Sequence, residues 1–306
     1  HQKGLVLHSQ GWPLDTDTGG SRIVVWLYRW LAFRYLFLAG IVKLLSGDPT
    51  WHALTALEYH FWTQPLPTPL AWYAAQLPHV ILVAGTAATL AIELIVVYLI
   101  FLPRRPRALA AWCAIVFQAP IVLTGNYKFF NLLAILFCLF LFDDAALRPL
   151  FPTPFVSWVQ HGAPRAGRAA TTIATVAAFV TVPAGVNVIA QTVAHNSVPV
   201  ARALSELVSP LLIVNRYGLF AVMTTTRPEI IVEGSNDGEI WREYAFRYKP
   251  GALTRAPPWN IPHQPRLDWQ MWFAALGDYR QNAWFVAFVF RLLQGSPPVL
   301  ALLDGN

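Results

Sequence analysis

The stretch Thr124–Asp144, TGNYKFFNLLAILFCLFLFDD, decides the class of this protein. Its centre is an apolar run that only Asn131 interrupts, with the polar residues 125–128 before it and Asp143-Asp144 after it. A run this apolar is unusual for a helix of a soluble domain and is typical of a helix in lipid. The stretch therefore predicts a membrane-embedded helix.

The composition of the whole chain also indicates a membrane protein. Of its 306 residues, 56% are hydrophobic and only 12% are charged, whereas soluble domains usually carry about 25% charged residues. Tryptophan is abundant, at 13 residues, and amphipathic aromatic side chains favour membrane interfaces. The net charge of +6 comes from basic residues beside apolar segments, so a membrane explains it and no nucleic-acid partner is expected.

Two further features of the sequence are its two cysteines and the residue at which it begins. Cys113 and Cys138 both lie inside apolar stretches, which favours packing roles over a disulfide or redox pair. No metal or cofactor is expected. The chain begins with His1 rather than Met and shows no secretory signal, so we expect further sequence upstream.

Five apolar segments are long enough, with their flanks, to cross a bilayer. They are residues 23–45, 79–102, 107–126, 127–142 and 170–193. The third and fourth are short, and we interpret them as a helical hairpin that turns at Gly125–Lys128, with a re-entrant pair as the alternative. The predicted fold class is mainly α: a polytopic transmembrane helical bundle over residues 1–195, followed by a small extracytoplasmic α+β module, containing β-structure, over residues 196–306.

Three charged residues inside the first two spans form a candidate buried polar network. Arg29 and Arg34 lie in the first span and Glu93 lies near the middle of the second. A cation inside a membrane helix costs about 2.5–3.5 kcal/mol on insertion scales, so such residues usually face the bundle and pair. We expect Glu93 to pair with one of the arginines, either as a structural ion pair or as a proton-relay or ligand site. Lys43, near the end of the first span, is expected to snorkel towards water.

The segment 46–78 has a different character from the spans. It contains no Lys or Arg and is rich in Trp, Tyr and His, which predicts a partly helical segment on the membrane surface. Glu58 and His60 suggest a metal or acid–base pair. Residues two apart on a helix do not share a face, so ordinary interfacial contacts are the better interpretation.

Loop charges predict the orientation of the chain. The loops at 103–107 and 148–168 are basic, whereas 46–78 has no basic residue. The positive-inside rule places the basic loops in the cytoplasm. With five spans, the chain after about residue 195 is then extracytoplasmic.

The tail combines predicted strands with predicted helices. Gly218–Thr225, Glu229–Glu233 and Ile240–Tyr248 resemble strands, and residues 235–238 are a good hairpin turn. We expect one buried face on the last strand, formed by Ile240, Tyr244, Phe246 and Tyr248. Arg266–Leu276 and Trp284–Leu293 are typical of amphipathic helices.

Three stretches together resemble the lipase maturation factor family. They are GDPTWHALTALEYHFWTQPLPTPLAWY (47–73), GNYKFFNLLAILFCLFLFDD (125–144) and YKPGALTRAPPWNIPHQPRLDWQMWFAALG (248–277). The resemblance implies a multi-pass membrane protein that, in animals, resides in the endoplasmic reticulum and helps secreted lipases to fold and dimerise, with its carboxy-terminal domain in the lumen. The family is not known to be an enzyme. The Ala-, Arg- and Pro-rich composition is typical of a high-GC bacterium, in which the location would be the plasma membrane.

The resemblance also highlights individual positions, none with a catalytic role to transfer. They are Asp48, Trp51, Glu58, Tyr59, His60, Gln64, Pro65, Asn126, Tyr127, Asn131, Asp143, Asp144, His263, Gln264, Pro265, Arg266, Asp268 and Trp269. We expect Asn126 and Asn131 to lock the hairpin. Arg266 and Asp268 are expected to pair with each other or to anchor the tail to the membrane-side loop.

Three functions fit the sequence. The first is a folding or assembly factor whose exposed tryptophans 259, 269 and 272 contact a secreted, lipase-like client. The second is a membrane enzyme or a lipid- or quinone-handling protein that uses Arg29, Arg34, Glu93 and His60. The third is a structural subunit that other membrane proteins cover. All three have membrane lipid as a partner.

Overall fold

The structure, a computed structural model, describes residues 22–127, 129–162 and 167–304. The start of the chain at His1, Lys128 of the hairpin turn and residues 163–166 of the basic loop lie outside the described residues.

The described chain is mainly helical. In chain order its helices are α1 (Arg22–Leu45), α2 (Pro49–His52), α3 (Ala56–Thr63), α4 (Pro69–Ala75), α5 (His79–Leu94), α6 (Arg104–Thr124), α7 (Phe130–Leu139), α8 (Asp144–Leu147), α9 (Thr153–Gly162), α10 (Arg168–Ala194), α11 (Pro199–Val208), α12 (Arg266–Ala275), α13 (Ala283–Leu293) and α14 (Pro297–Leu300). Short 3₁₀ helices cover Val96–Phe101, Arg148–Leu150, Ser209–Leu211 and Tyr279–Gln281.

Four stretches of the described chain are long and apolar enough to cross a membrane. They are α1, α5 with its 3₁₀ extension to Phe101, α6 and α10, which have 24, 23, 21 and 27 residues. A fifth span requires α7 to be combined with the helical residues Asp144–Leu150, and the two parts bend by 117°. The described residues therefore contain four candidate spans, or five if this bent pair is one span, which fits a polytopic helical membrane protein.

Contacts divide the chain into two compact units. Unit 1 contains the described residues up to Val42, together with Ala91–Ile115 and Ala134–Leu219. Unit 2 contains Lys43–Leu90, Val116–Leu133 and the chain from Phe220 onwards. The predicted boundary at residue 195 stays a prediction.

The core of unit 1 is built from α1, α6 and the apolar residues that precede and follow them. Its buried members are Ala32, Phe33, Leu36, Val97, Ile100, Ala110, Ala111, Ala114, Cys138 and Leu141. The alanines at 110, 111 and 114 put small side chains on one side of α6, so neighbouring helices approach closely. Both cysteines are free, and Cys138 lies in this core, as a packing residue does.

The close approach of α10 to α1 depends on Gly185. A Cβ atom at this position would lie 2.8 Å from Arg34 Cδ and 2.9 Å from Trp30 Nε1. Both distances are shorter than real Cβ contacts, so a larger residue would push the helices apart.

The 46–78 segment lies in unit 2, and most of its residues form three short helices. Prolines 49 and 69 begin α2 and α4, where proline needs no N–H partner and has a suitable φ angle. The partly helical prediction for this segment is confirmed. An isolated bridge pairs Pro67 with Gly125, and Thr68 Oγ1 donates to the Leu123 carbonyl.

The tail has less β-structure than the sequence predicts. The strands are β1 (Glu233–Gly234) and β2 (Arg242–Glu243), paired antiparallel on either side of the predicted turn. The predicted strand over 218–225 is wrong, and the expected buried face is incomplete because Ile240 is exposed whereas Phe246 is buried. The apolar alternation is satisfied by packing on helices instead of by a sheet, because Phe246 joins a core with Met271, Phe288 and Leu292.

The two helices predicted in the tail are confirmed. The prediction placed them at residues 266–276 and 284–293, and the structure has α12 at Arg266–Ala275 and α13 at Ala283–Leu293. Buried residues 268, 271 and 274 recur at helical spacing on α12.

A buried amide pair joins α6 to α7. Asn131 Nδ2 donates to Gln118 Oε1 at 2.8 Å, and both side chains are buried. Replacing Asn131 alone with leucine is expected to cost about 1–2 kcal/mol of stability, because the Gln118 amide loses its partner in an apolar site. The double replacement Gln118→Leu and Asn131→Leu is expected to return to within about 0.5 kcal/mol of wild type. Thermal midpoints of the two singles and the double in one detergent measure this, and a double variant that is as unstable as the singles combined contradicts it.

Candidate functional site

The three residues of the predicted polar network lie in unit 1, Arg29 and Arg34 on α1 and Glu93 on α5. Arg29 Nε donates to the Phe140 carbonyl at 3.0 Å, and its guanidinium lies 5.9 Å from the centre of the Trp26 ring. Arg34 is 5% exposed and donates through Nη2 to the Asn215 carbonyl. Both arginines thus donate to carbonyl acceptors in an apolar surrounding, whereas the buried Arg34 Nε has no hydrogen-bond partner among the described residues.

Glu93 lies at the other end of α1 from Arg29. A Cβ atom at Gly40 would lie 2.7 Å from Glu93 Cβ, so the two helices touch there. Gly40 is about 16 Å along the helix axis from Arg29. The three charged residues are therefore spread along α1, and the Arg–Glu pair stays a prediction.

The family-motif positions, in contrast, gather in unit 2, except for Asp143 and Asp144 of unit 1. Asp143 caps α8 by accepting from the Ala146 N–H and contacts Arg104. Asp144 is the first residue of α8. The remaining positions bring the 46–78 segment, the α6–α7 turn and the tail together at a set of contacts that we call the junction.

Asp48 is the first contact of the junction. It is 5% exposed and caps α2 by accepting from the Thr50 N–H at 2.7 Å and the Thr50 hydroxyl at 2.6 Å. Its other oxygen accepts from the Met223 N–H at 2.6 Å. Burial acts to raise the pKa of Asp48, but these hydrogen bonds to the charged form outweigh it and lower the pKa below its ordinary value.

Trp51 attaches α2 to the start of the tail. Its Nε1 donates to the Phe220 carbonyl at 2.9 Å, and the ring packs with Tyr59 and Met223. The Lys43 ammonium lies 5.2 Å from the centre of the Trp51 ring and Lys43 is buried, so the snorkelling expected for it is wrong. The aromatic face supplies a favourable site for the cation inside the protein.

Gln64 and Tyr127 connect the 46–78 segment to the α6–α7 turn. Gln64 Nε2 donates to the Thr124 carbonyl at 2.9 Å, and its Oε1 accepts from the Tyr127 hydroxyl at 2.7 Å. A Cβ atom at Gly125 would overlap Gln64 Oε1. Only glycine therefore lets the turn approach this amide.

Arg227 binds the tail to the end of α3 with one guanidinium. It donates to the Trp62 carbonyl at 2.8 Å, to the Pro65 carbonyl at 3.1 Å and to the Gln64 carbonyl. Its Nε also contacts Glu229 at 2.7 Å. A guanidinium has five N–H donors in a fixed plane, so it can satisfy several carbonyls that a helix end leaves without partners.

Asn126 extends the junction to the proline-rich part of the tail. Its Nδ2 donates to Asn260 Oδ1 at 2.7 Å and to the His263 carbonyl at 2.8 Å. Asn126 was expected to lock the hairpin. Its side chain also attaches the α6–α7 turn to the tail. Asn131 is the residue that links the two helices.

Asp268 and Trp272 hold α12 in place. Asp268 Oδ1 accepts from the N–H groups of Tyr248 and Lys249 at 2.8 and 2.9 Å, whereas Arg266 is exposed, so the expected pairing of Arg266 with Asp268 is wrong. Trp272 Nε1 donates to the Thr63 carbonyl at 2.6 Å. Trp272, expected to contact a client, is thus a junction residue.

The other motif positions are described by their contacts within the protein. Glu58 contacts His79, so it does not converge with His60. Pro265 precedes α12 at its N-cap, and the Trp269 ring packs on Phe273 at 4.5 Å. The side-chain amide of Gln264 is buried and has no hydrogen-bond partner among the described residues.

His60 occupies an aromatic cage within unit 2. Phe220 meets its ring edge-on at 4.8 Å, and the Tyr127 ring is stacked at 6.5 Å. Burial, together with the positive charge of Lys43, lowers the pKa of His60 from 6.5 to about 4. His60 is therefore neutral at physiological pH.

This pKa predicts a stability change with pH. The unfolded chain takes up a proton at His60 below about pH 6.5 whereas the folded chain does not until about pH 4, so stability is full above the first value and falls between the two. His60→Phe fills the cage and cannot titrate, so its thermal midpoint is expected to lose this dependence. Equal declines of both proteins between pH 6.5 and 4 would show that His60 is not the cause.

Several junction residues were missed at the sequence level. Arg227 and Met223 lie outside the motif stretches, and Asn260 lies inside one but was not singled out; Arg227 is one basic residue in a tail with several. The local pattern that came nearest to indicating Arg227 was Arg227-Pro228-Glu229, a pair of opposite charges on either side of a proline. Its partners are more than 160 residues away along the chain, beyond the reach of local patterns.

The junction uses charged and amide side chains to satisfy backbone groups of other segments. This is the chemistry of a rigid joint between the membrane segments and the tail, because each buried donor or acceptor fixes a backbone position. The fold and this joint define a multi-pass helical membrane protein with an attached carboxy-terminal module.

Comparisons with known proteins identify the family. Residues 6–149 match the lipase maturation factor transmembrane domain and residues 213–306 match the lipase maturation factor C-terminal domain. The chain belongs to the lipase maturation factor family.

The chain is similar to several vertebrate proteins. Lipase maturation factor 2 of Homo sapiens is 35% identical over 92% of this chain and 53% of its own length. Lipase maturation factor 2 of Xenopus laevis is 32% identical over 98% of this chain and 56% of its own length. Lipase maturation factor 1 of Bos taurus is 35% identical over 96% of this chain and 55% of its own length. The chain thus spans about half the length of the curated relatives that it matches, and no solved structure matches it.

Proposed function

We propose that this chain is a membrane-embedded factor that assists the folding and assembly of secreted, lipase-like client proteins. Family membership over both the transmembrane and the carboxy-terminal regions supports this role. The observation that carries it is the junction, in which Arg227 and Trp272 fix the tail to the 46–78 segment and Asn126 fixes it to the α6–α7 turn. A rigid platform loses less conformational entropy when a client binds than a free tail would.

The proposed client surface lies on the tail, with Trp259 as its centre. Trp259 is 51% exposed. Exposed tryptophans supply large contact area at protein interfaces. Trp259 lies within the proline-rich segment, beside Asn260, which accepts a hydrogen bond from Asn126. The platform therefore holds the backbone at this position while the ring stays accessible.

The orientation of the tail is part of the same proposal. A secreted client must be met outside the cytoplasm, which the loop charges predict for the chain after residue 195. The membrane would be that of the endoplasmic reticulum in animals and the plasma membrane in a bacterium. A reporter enzyme that is active only outside the cytoplasm, fused after Asn306, is expected to be active. A fusion after Arg105, in the basic loop, is expected to be inactive.

The function is tested with a co-expressed secreted, dimeric lipase. Wild type is expected to raise the lipase activity per amount of secreted lipase, and Trp259→Ala is expected to lose most of this gain while the membrane protein stays folded. Arg242→Ala is the matched control, because Arg242 is exposed on the tail in β2. Equal lipase activity with and without the chain would contradict the proposal.

Lipid or quinone handling and a structural role in a larger membrane complex are the remaining alternatives. Gentle purification followed by mass spectrometry of bound proteins and lipids separates them. A stoichiometric lipid or quinone that is lost on Glu93→Gln or Arg34→Ala, with no client, would favour the first. Stable membrane partners alone would favour the second.

A further inference from the structure

Helix α9 is an exposed amphipathic element in unit 1. It has ten residues, and the aromatic side chains around it are open, with Trp158 70% exposed and Phe151 and Phe155 close to half exposed. A soluble surface rarely presents such a group of aromatic side chains without a partner. The helix therefore has an apolar face that something covers.

The aromatic residues form one row. The ring centres of Phe151 and Phe155 are 5.2 Å apart, and those of Phe155 and Trp158 are 5.9 Å apart. Phe155 and Trp158 are three residues apart within α9 and therefore lie on one side of it, and Phe151, just before the helix, packs on Phe155. Ser157 lies on the opposite side and bonds back to the Pro154 carbonyl. The helix thus has an aromatic side and a polar side.

The position of α9 in the chain indicates what covers the aromatic row. It follows the bent pair that ends at Leu150 and precedes α10, a candidate span that begins at Arg168. A segment this short between two membrane elements stays close to the bilayer surface. Exposed Arg148 and Arg168 flank it, and their charge is complementary to anionic lipid headgroups.

We propose that α9 lies flat in the interface of the bilayer, with Phe151, Phe155 and Trp158 at the boundary between headgroups and acyl chains. Arg148 and Arg168 then face anionic headgroups. An interfacial helix buries its apolar face about 5–10 Å deep, and aromatic side chains favour that depth. The partner of this surface is lipid and not the client protein, so the inference is independent of the proposed function.

The test places an environment-sensitive fluorophore on one side of α9 or the other. Cys113 and Cys138 are replaced by alanine, and a single cysteine is introduced as Trp158→Cys or, as the matched control, Ser157→Cys. Each labelled full-length protein is reconstituted into nanodiscs of phosphatidylcholine and phosphatidylglycerol. Quenching by brominated acyl chains and by aqueous iodide is then measured.

The probe at 158 is expected to be quenched by brominated lipid at least about threefold more than the probe at 157, because only the apolar side enters the bilayer. Iodide is expected to show the reverse order. Strong iodide quenching at 158 would overturn the proposal. Shielding of 158 from both quenchers would also overturn it, because protein and not lipid would then cover the row. A monodisperse elution profile of each variant confirms that it is folded.

Discussion

Replacing Arg227 with alanine is expected to lower the free energy of unfolding by about 3 kcal/mol, because three carbonyl oxygens, two of them in buried residues, lose a shared charged donor. The guanidinium serves three carbonyls, at Trp62, Gln64 and Pro65, and contacts Glu229. Its side chain is only 11% exposed, so water replaces these bonds poorly. The measurement is the thermal midpoint in detergent, together with the rate at which a protease cleaves the chain after Gly218.

Two further variants test which property of Arg227 causes this loss of stability. Arg227→Lys keeps the charge but has one compact ammonium, which cannot reach three carbonyls in a plane, so an intermediate loss is expected. Arg242→Ala removes an exposed arginine of the same tail and is expected to change stability by less than about 0.5 kcal/mol. If Arg227→Lys is as stable as wild type, charge alone is sufficient and the multiple carbonyl contacts contribute little.

The consequence for function follows from the same geometry. Loss of Arg227 removes one attachment of the tail to the end of α3 and leaves that of Trp272, without changing the side chain of Trp259. Under the proposed function, lipase maturation is expected to fall in Arg227→Ala in parallel with protease sensitivity. A variant that is protease-sensitive but fully active would show that the junction contributes to stability only.

Replacing Asp48 with alanine is expected to cost about 2–3 kcal/mol, from the loss of a helix cap and of a charged acceptor. The carboxylate accepts from the Thr50 N–H and hydroxyl and from the Met223 N–H. Without it the buried Met223 N–H has no acceptor from this side chain. Asp48→Asn keeps one oxygen for the cap, so we expect it to lose roughly half as much.

The charge of Asp48 also predicts a pH effect. Hydrogen bonds lower the pKa of Asp48 in the folded protein below its ordinary value of 3.8. The carboxylate therefore stabilises the fold above the ordinary value, and this contribution is lost as the pH falls through the folded pKa. Thermal midpoints of wild type and Asp48→Asn are expected to converge below about pH 4. A constant difference down to pH 3 would contradict this.

Much of the fold follows from local patterns. Long apolar runs place α1, α5, α6 and α10 because a bilayer fixes the length and polarity of a span. The helices α12 and α13 follow from apolar spacing within about ten residues. The tail strands were overestimated because alternating apolar residues also pack onto helices, as Phe246 does with Phe288.

The candidate site was predictable only in part. The motif stretches include Asp48, Gln64 and Asn126, but the sequence does not show which groups these side chains contact. Arg266 and Asp268 illustrate the limit, because their proximity suggested an ion pair whereas Asp268 accepts from the backbone of residues 248 and 249. A buried carboxylate takes the donors that the fold brings to it, and those donors are not its neighbours in sequence.

The sequence by itself determined that this protein is a polytopic membrane protein of the lipase maturation factor family, because composition, span length and motif residues are local properties. The tertiary structure decided that Arg227 and Trp272 fix the tail to the 46–78 segment and that Asn126 fixes it to the α6–α7 turn. These contacts join residues that are more than 130 positions apart. Such partners depend on how backbone donors and acceptors meet after folding, and neither hydropathy nor periodicity records that.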